Sequence, residues 1–285
     1  MKTSLDCTPC LIRQAMEAIR LSAPDEETRI MAVRNMLQIA AAMDFSQPPP
    51  VLTATIQARL QTLTSCADPY REAKHSFNQL ALELLPPLAL AVSAASDPFD
   101  AALRLAIAGN IIDLGVKTGL TTNDIREAAA TALAQPVLGD IAALRQAVAQ
   151  AQRILFLADN TGEIVFDRVL IEQLPRGRVT VAVRGRPILN DATREDAIMA
   201  GLPALAELID NGSGIPGTLL ADCSPDFRRR FAEADLIIAK GQGNFETLND
   251  VKAPLFCLFR VKCAIVAGHC GYPAGSHIVW RSPQS

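Results

Sequence analysis

The chain has 285 residues, 49% hydrophobic and 20% charged, with a net charge of −3. This is enough apolar material for one large or two smaller cores, and an acidic balance without a long basic run argues against a nucleic-acid footprint. The opening residues lack a signal-peptide apolar core, and the most apolar region, about 80–115, is broken by Glu83, Pro86, Pro87, Asp97, Asp100 and Arg104, short of the roughly 20 apolar residues of a membrane span.

Residues 3–20 carry Leu11, Ile12, Ala15, Met16 and Ile19 at helical spacing. Cys7 and Cys10 open that helix three residues apart, close enough to share a face. The pair is half of a zinc or iron–sulfur site, a redox pair, or two small buried hydrophobes, and no second Cys-x-x-Cys completes a four-thiolate set. Seven cysteines, an odd number, fit a reducing cytoplasm better than a disulfide framework. Further helices are expected from Asp25 to about Ala42, from Val51 to Leu63, from an Asp68-Pro69-Tyr70 cap to Leu85, and from about Asp100 to Ile112. Pro48 to Pro50 and Pro86-Pro87 read as breaks. With no strand pattern in this region, the first hundred residues predict a helical bundle. Arg71, Lys74 and Asn78 share one helix face, and Asn110 with Asp113 interrupts an apolar helix, where a polar side chain needs a partner or a terminus to cap.

Helices follow at about 122–133 and 139–150, and then the texture changes. Strand-like apolar runs at 153–158, 178–184, 235–239, 254–260 and 277–280 alternate with helical stretches. That alternation predicts an α/β domain with a doubly wound, mostly parallel sheet over 101–285, packed on an all-α domain over 1–100. Three of the strands empty into polar and glycine-rich turns: Asp159-Asn160-Thr161-Gly162, Arg184 to Thr193, and Lys240-Gly-Gln-Gly-Asn-Phe-Glu246. A glycine-rich loop at 211–217 joins them. Carboxyl ends of parallel strands lie on one edge of the sheet, so these residues converge in space.

The convergence has one chemistry. Asp159, Asn160 and Asp191 are hard oxygen ligands suited to magnesium or manganese. Lys240, with Arg184 as a further cation, brings positive charge, and Gly241 and Gly243 bring bare amides for an anion. Taken singly, each loop is also ordinary turn chemistry, and Asp159 and Asn160 are favoured helix caps. Together they are what phosphoryl transfer requires.

Ala158 to Glu163, Arg184 to Thr193 and Lys240 to Glu246 resemble three motifs of the damage-control phosphatases, catalogued as domain of unknown function 89. Asp68-Pro-Tyr with Lys74 and Asn78, Gly109 to Asp113, and Lys262-Cys263 match as well, and Cys7-x-x-Cys10 is similar to the branch common in prokaryotes. The resemblance implies a helical bundle on a Rossmann-like domain and a metal-dependent phosphomonoester hydrolase acting on small phosphorylated metabolites such as sugar phosphates. It implies Asp159, Asn160 and Asp191 as ligands of a divalent cation (magnesium or manganese, with cobalt and nickel as alternatives). Catalysis would fall to Asp159, Asp191 and Lys240. Substrate binding would fall to Asn110, Asp113, Lys240, Gly241, Gly243, Asn244 and Glu246, with Glu163 close behind. Attack by an activated water is the expected mechanism, with an aspartyl nucleophile at Asp159 as the rival. Two other classes stand beside it. A non-catalytic sensor of a phosphorylated metabolite has no need of Asp159 and Asp191 together, and a metal or redox protein would be built on Cys7, Cys10 and Cys263. A nicotinamide enzyme is disfavoured because no Gly-x-Gly-x-x-Gly follows the strand at 153–158.

Overall fold

The structure, a computed structural model, describes residues 1–109 and 134–283. Five helices come first: α1 (Thr8–Ser22), α2 (Glu26–Ala41), α3 (Pro49–Thr64), α4 (Arg71–Ser93) and α5 (Pro98–Ala108). Their starts follow from the sequence. The Asp25 side chain accepts from the Thr28 amide at 2.7 Å and that of Asp97 from the Asp100 amide at 3.0 Å, each meeting an amide that has no partner within its helix. The expected stop at Pro86-Pro87 does not occur, and α4 runs on to Ser93. Those prolines remove two backbone donors, but Leu84, Leu88 and Val92 on either side are buried at helical spacing, so packing holds the helix together.

Beyond them lie β1 (Val137–Gly139), α6 (Ile141–Gln150), β2 (Ile154–Leu157), α7 (Glu163–Ile171), β3 (Val179–Val183), α8 (Arg194–Met199), β4 (Glu207–Asp210), α9 (Pro225–Glu233), β5 (Leu236–Lys240), α10 (Gly241–Leu248), β6 (Leu255–Arg260), α11 (Ala264–Cys270) and β7 (His277–Arg281). The strands form one seven-stranded sheet in the order β1-β7-β6-β5-β2-β3-β4, parallel throughout except where β7 pairs antiparallel with β6. The chain leaves β2 toward β3 and β4 on one side, then returns to lay β5 and β6 on the other. The gap between the carboxyl ends of β2 and β5 is therefore the topological switch point, where open parallel sheets bind ligands.

Alternate side chains of β2 feed two cores. Ile154, Phe156 and Ala158 join a core built with α4, α5, α6 and α7, while Leu155 and Leu157 join one built with α9, α10 and α11. A third core is made by α1, α2 and α3 around Ala15, Ile19, Met36, Ile56 and Leu60. The first five helices thus divide: α1 to α3 share their own core, and α4 and α5 cover the sheet.

Ile188 and Leu189, from the loop after β3, plug into the three-helix core. Leu189 takes φ +47°, a left-handed conformation that a leucine adopts only when its surroundings impose it. Burial of both side chains supplies that constraint, and it turns the chain so that Asp191 follows at the sheet edge.

Candidate active site

Two short pairings assemble the centre. Asn160 and Asp191 form an antiparallel bridge, the Ala192 amide donates to the Asp159 carbonyl at 2.8 Å, and the Thr161 amide donates to the Asn190 carbonyl at 2.9 Å. The loops after β2 and β3 are thereby zipped together, which brings Asp159, Asn160 and Asp191 to one spot at the switch point. All three are buried.

The Asn160 amide nitrogen donates to Asp159 Oδ2 at 2.9 Å and to Glu163 Oε2 at 3.4 Å. The Asn160 nitrogen is thus turned to two carboxylates. Burial, with Asp191 and Glu163 close by, holds the Asp159 carboxyl well above its ordinary pKa, against the pull of Arg184 and Lys262. Burial likewise raises Asp191, against Arg184. A site in which buried carboxylates destabilise one another's charge has room for a cation in its electrostatics.

Arg184 is the cation already there. It is 2% exposed, and its Nε donates to Asp191 Oδ2 at 2.6 Å. Its Nη2 lies 3.7 Å from Asp159 Oδ1 and has no hydrogen-bond partner among the described residues. Nη2 is thus an enclosed donor with no acceptor among them, a buried polar atom that calls for a partner. Arg184 borders a cleft of about 830 Å³ between the start of α4 and the loop before α8, lined also by Arg71, Lys74, Asn78 and Thr193.

The helix face carrying Arg71, Lys74 and Asn78 separates by burial: Arg71 is exposed and the other two are buried. The Lys74 ammonium donates to Asp68 Oδ2 at 2.8 Å. Asn78 accepts from the Gly162 amide at 2.8 Å and donates to Asp196 Oδ1 at 2.8 Å, clamping α4 to the Asp159–Gly162 turn and to the first turn of α8. Replacing Asn78 with alanine leaves a buried amide and a carboxylate short of partners. A loss of about 2 kcal/mol is expected, measurable by urea unfolding.

The remaining expected site residues fall out as follows. Asn110 and Asp113 lie outside the described residues. Lys240 is fully buried, and its ammonium donates to Ala106 O at 2.8 Å and to Glu163 Oε1 and Asp167 Oδ1 at 2.5 Å each. Burial lowers its pKa, but the two carboxylates outweigh that and keep it charged. Gly241 has φ +78°, and a Cβ there would lie 1.7 Å from Asp159 Oδ2. A Cβ at Gly243 would lie 2.6 Å from Pro216 O. Both glycines thus let other groups approach the backbone closely.

Asn244 is buried, donating to Lys240 O and Ala158 O and accepting from the Thr218 hydroxyl at 2.7 Å. It staples β2, β5 and the 218 turn beneath the centre. Glu246 accepts from Gln242 at 2.8 Å, and burial pushes its carboxyl up to about 7. In the loop after β4, side chains of Asp210, Asn211 and Ser213 accept from the amides of Gly212, Ser213 and Ile215, so those amides are engaged within the loop.

Asp167 went unnoticed in the sequence. The signal lies in the spacing: Glu163 and Asp167 are one helical turn apart in a helix whose other residues, Arg168 excepted, are apolar, and two acids on a buried face require a cation.

All seven cysteines are free thiols. Among the described residues no group of three His, Cys, Asp or Glu side chains is arranged to hold a metal; the Asp159, Asn160 and Asp191 set contains only two such residues. No helix among the described residues is long and apolar enough to cross a membrane.

Residues 3–278 match the model of the damage-control phosphatase ARMT1-like domain. The chain belongs to that family. It is 33% identical to a damage-control phosphatase of Archaeoglobus fulgidus over 98% of both chains. To damage-control phosphatase PH1575 of Pyrococcus horikoshii it is 32% identical over 99% of both. It is also similar to a crystal structure of a DUF89 family protein from Pyrococcus horikoshii, with a TM-score of 0.91 and 31% identity over 99% of this chain and 100% of that one. Family membership and these relatives support a phosphatase-type function for this chain.

Proposed function

We propose that the protein is a metal-dependent phosphomonoester hydrolase for small phosphorylated metabolites, with Asp159, Asn160 and Asp191 as cation ligands. The observation that carries this is the bridged pair of loops at the switch point, which gathers two aspartates and an asparagine beside an arginine whose Nη2 has no hydrogen-bond partner among the described residues. That donor set is all hard oxygen and leaves positions for water and substrate, which suits magnesium or manganese. When bound, such a cation supplies Lewis acidity toward a phosphoryl oxygen and acidifies water.

The chain's own residues do the rest. Arg184 Nη2 holds a second phosphoryl oxygen and offsets charge as it builds up in the transition state. Lys262, exposed in the turn that precedes α11 and near enough for its charge to act on Asp159, adds positive potential at the rim. Asp159 is wedged against Gly241 and hydrogen-bonded by Asn160, which suits a fixed ligand better than a nucleophile and favours attack by water.

Phosphate release from a panel of sugar phosphates and a chromogenic ester tests this, with magnesium, manganese, cobalt or nickel, with chelator, and with Asp159→Ala. Metal-dependent release that both the chelator and the substitution abolish is expected. A folded protein that binds phosphate esters yet releases nothing with any metal would make it a sensor instead.

A further inference from the structure

We propose that Lys240 is a positioning residue: through Glu163 it fixes the orientation of the Asn160 amide, and so acts on cation binding rather than on substrate phosphate. The inference presupposes the metal-dependent reading above and assigns one of its residues a different task.

An ammonium has three N–H donors, and all three of Lys240's are engaged, by Ala106 O, Glu163 Oε1 and Asp167 Oδ1. Its side chain is fully buried beneath the centre, so it has no donor left for a phosphoryl oxygen. The effect it can transmit runs through Glu163. One carboxylate oxygen of Glu163 is held by Lys240, and the other accepts from the Asn160 amide nitrogen, which also donates to Asp159 Oδ2. Lys240 thus holds Glu163 so that Asn160's nitrogen stays on the two carboxylates and its carbonyl oxygen points away from them.

Asp167 shares the ammonium but touches no expected ligand. Its second oxygen has no partner among the described residues. Asp167 therefore serves as a control: it sits in the same buried cluster but off the line from Lys240 to Asn160. The contact with Ala106 O ties the cluster to the last turn of α5, 134 residues away in sequence, so the covering helices help set the ligand geometry.

Calorimetric titration of Mn²⁺ into the substrate-free protein is the deciding measurement, with inorganic phosphate as a separate anion probe. In Glu163→Gln, Lys240 claims the amide oxygen and leaves an amino group facing the amino group of Asn160. Mn²⁺ affinity is expected to fall roughly 10- to 100-fold, the usual effect of losing a group that orients a metal ligand. Asp167→Asn keeps an acceptor for Lys240 and should stay within about threefold of wild type. Lys240→Met should follow Glu163→Gln in Mn²⁺ affinity and leave KM for the ester at saturating Mn²⁺ nearly unchanged. If it fails to fold, the Glu163→Gln and Asp167→Asn pair still decides. Unchanged Mn²⁺ affinity in Glu163→Gln, or weakened phosphate binding and a raised KM with intact Mn²⁺ affinity in Lys240→Met, would overturn the proposal. Wild-type protein that binds no Mn²⁺ would overturn the metal-dependent reading itself, a different and recognisable failure.

Discussion

Gly241→Ala is expected to reduce kcat/KM by at least about 100-fold, a loss of the size that a 1 Å misplacement of a reacting group produces. The added methyl carbon would sit 1.7 Å from Oδ2 and 2.2 Å from Cγ of Asp159, so one of the two must move. Neither has room. The backbone of Asp159 is pinned by the Ala192 amide, and its side chain by Asn160. The helix behind Gly241 cannot retreat, because Gly243 already packs on the carbonyl of Pro216. A φ of +78° adds about 1–2 kcal/mol of backbone strain for any residue with a Cβ. Gly268→Ala provides the comparison: it lies within α11, its Cβ would meet nothing within 4 Å, and a gain of roughly 0.5–1 kcal/mol is expected from helix propensity. Thermal melting and steady-state kinetics on both variants check the pair. Activity of Gly241→Ala within threefold of wild type would mean that Asp159 does not need its observed position.

Much of this architecture was legible because buried parallel strands announce themselves as short apolar runs. β2, β3, β5, β6 and β7 all lie within or next to the expected runs. β1 and β4 were missed for a physical reason. They are the two edge strands, three and four residues long, and their exposed positions take polar residues or glycine, such as Glu207 and Gly139, which erase the apolar signal. The continuation of α4 through two prolines was equally hidden, since only the core on its buried face shows why it persists.

At the site, the sequence told which loops would meet but not which way each polar group would face. Strand-end position marked Lys240 and Asn244 as candidates for ligand contact. Their actual partners, Ala106, Asp167, Ala158 and Thr218, come from elements up to 134 residues distant, and nothing local encodes them. Arg184 was underrated for the same reason. An arginine at the end of a buried strand is usually a surface residue, and only the fold shows it enclosed between two aspartates.

That enclosure gives Arg184→Met two expected effects of opposite sign. Among the described residues its guanidinium is the nearest positive charge to both proposed carboxylate ligands, 2.6 Å from Asp191 and 3.7 Å from Asp159. A cation entering the same carboxylates works against that charge, so removing it should tighten Mn²⁺ binding. The arginine is also the group with a donor free for a phosphoryl oxygen, so removing it should weaken ester binding and lower kcat/KM by about 10²–10³, as losing one preorganised oxyanion donor does. Without metal, Arg184→Met leaves two buried carboxylates uncompensated, and a stability loss of about 3–5 kcal/mol is expected. Mn²⁺ should recover much of it by binding only the folded state. Arg184→Lys separates charge from geometry. A single ammonium can satisfy Asp191 and restore stability, but it cannot reproduce the planar fork that leaves Nη2 free, so turnover should stay low. Calorimetry with Mn²⁺, melting with and without metal, and kinetics at saturating Mn²⁺ read these effects separately. If Mn²⁺ affinity and ester affinity instead fall together in Arg184→Met, the arginine is holding the ligands in place rather than competing for them, and the anchor for the phosphoryl group must be sought at the rim, starting with Lys262.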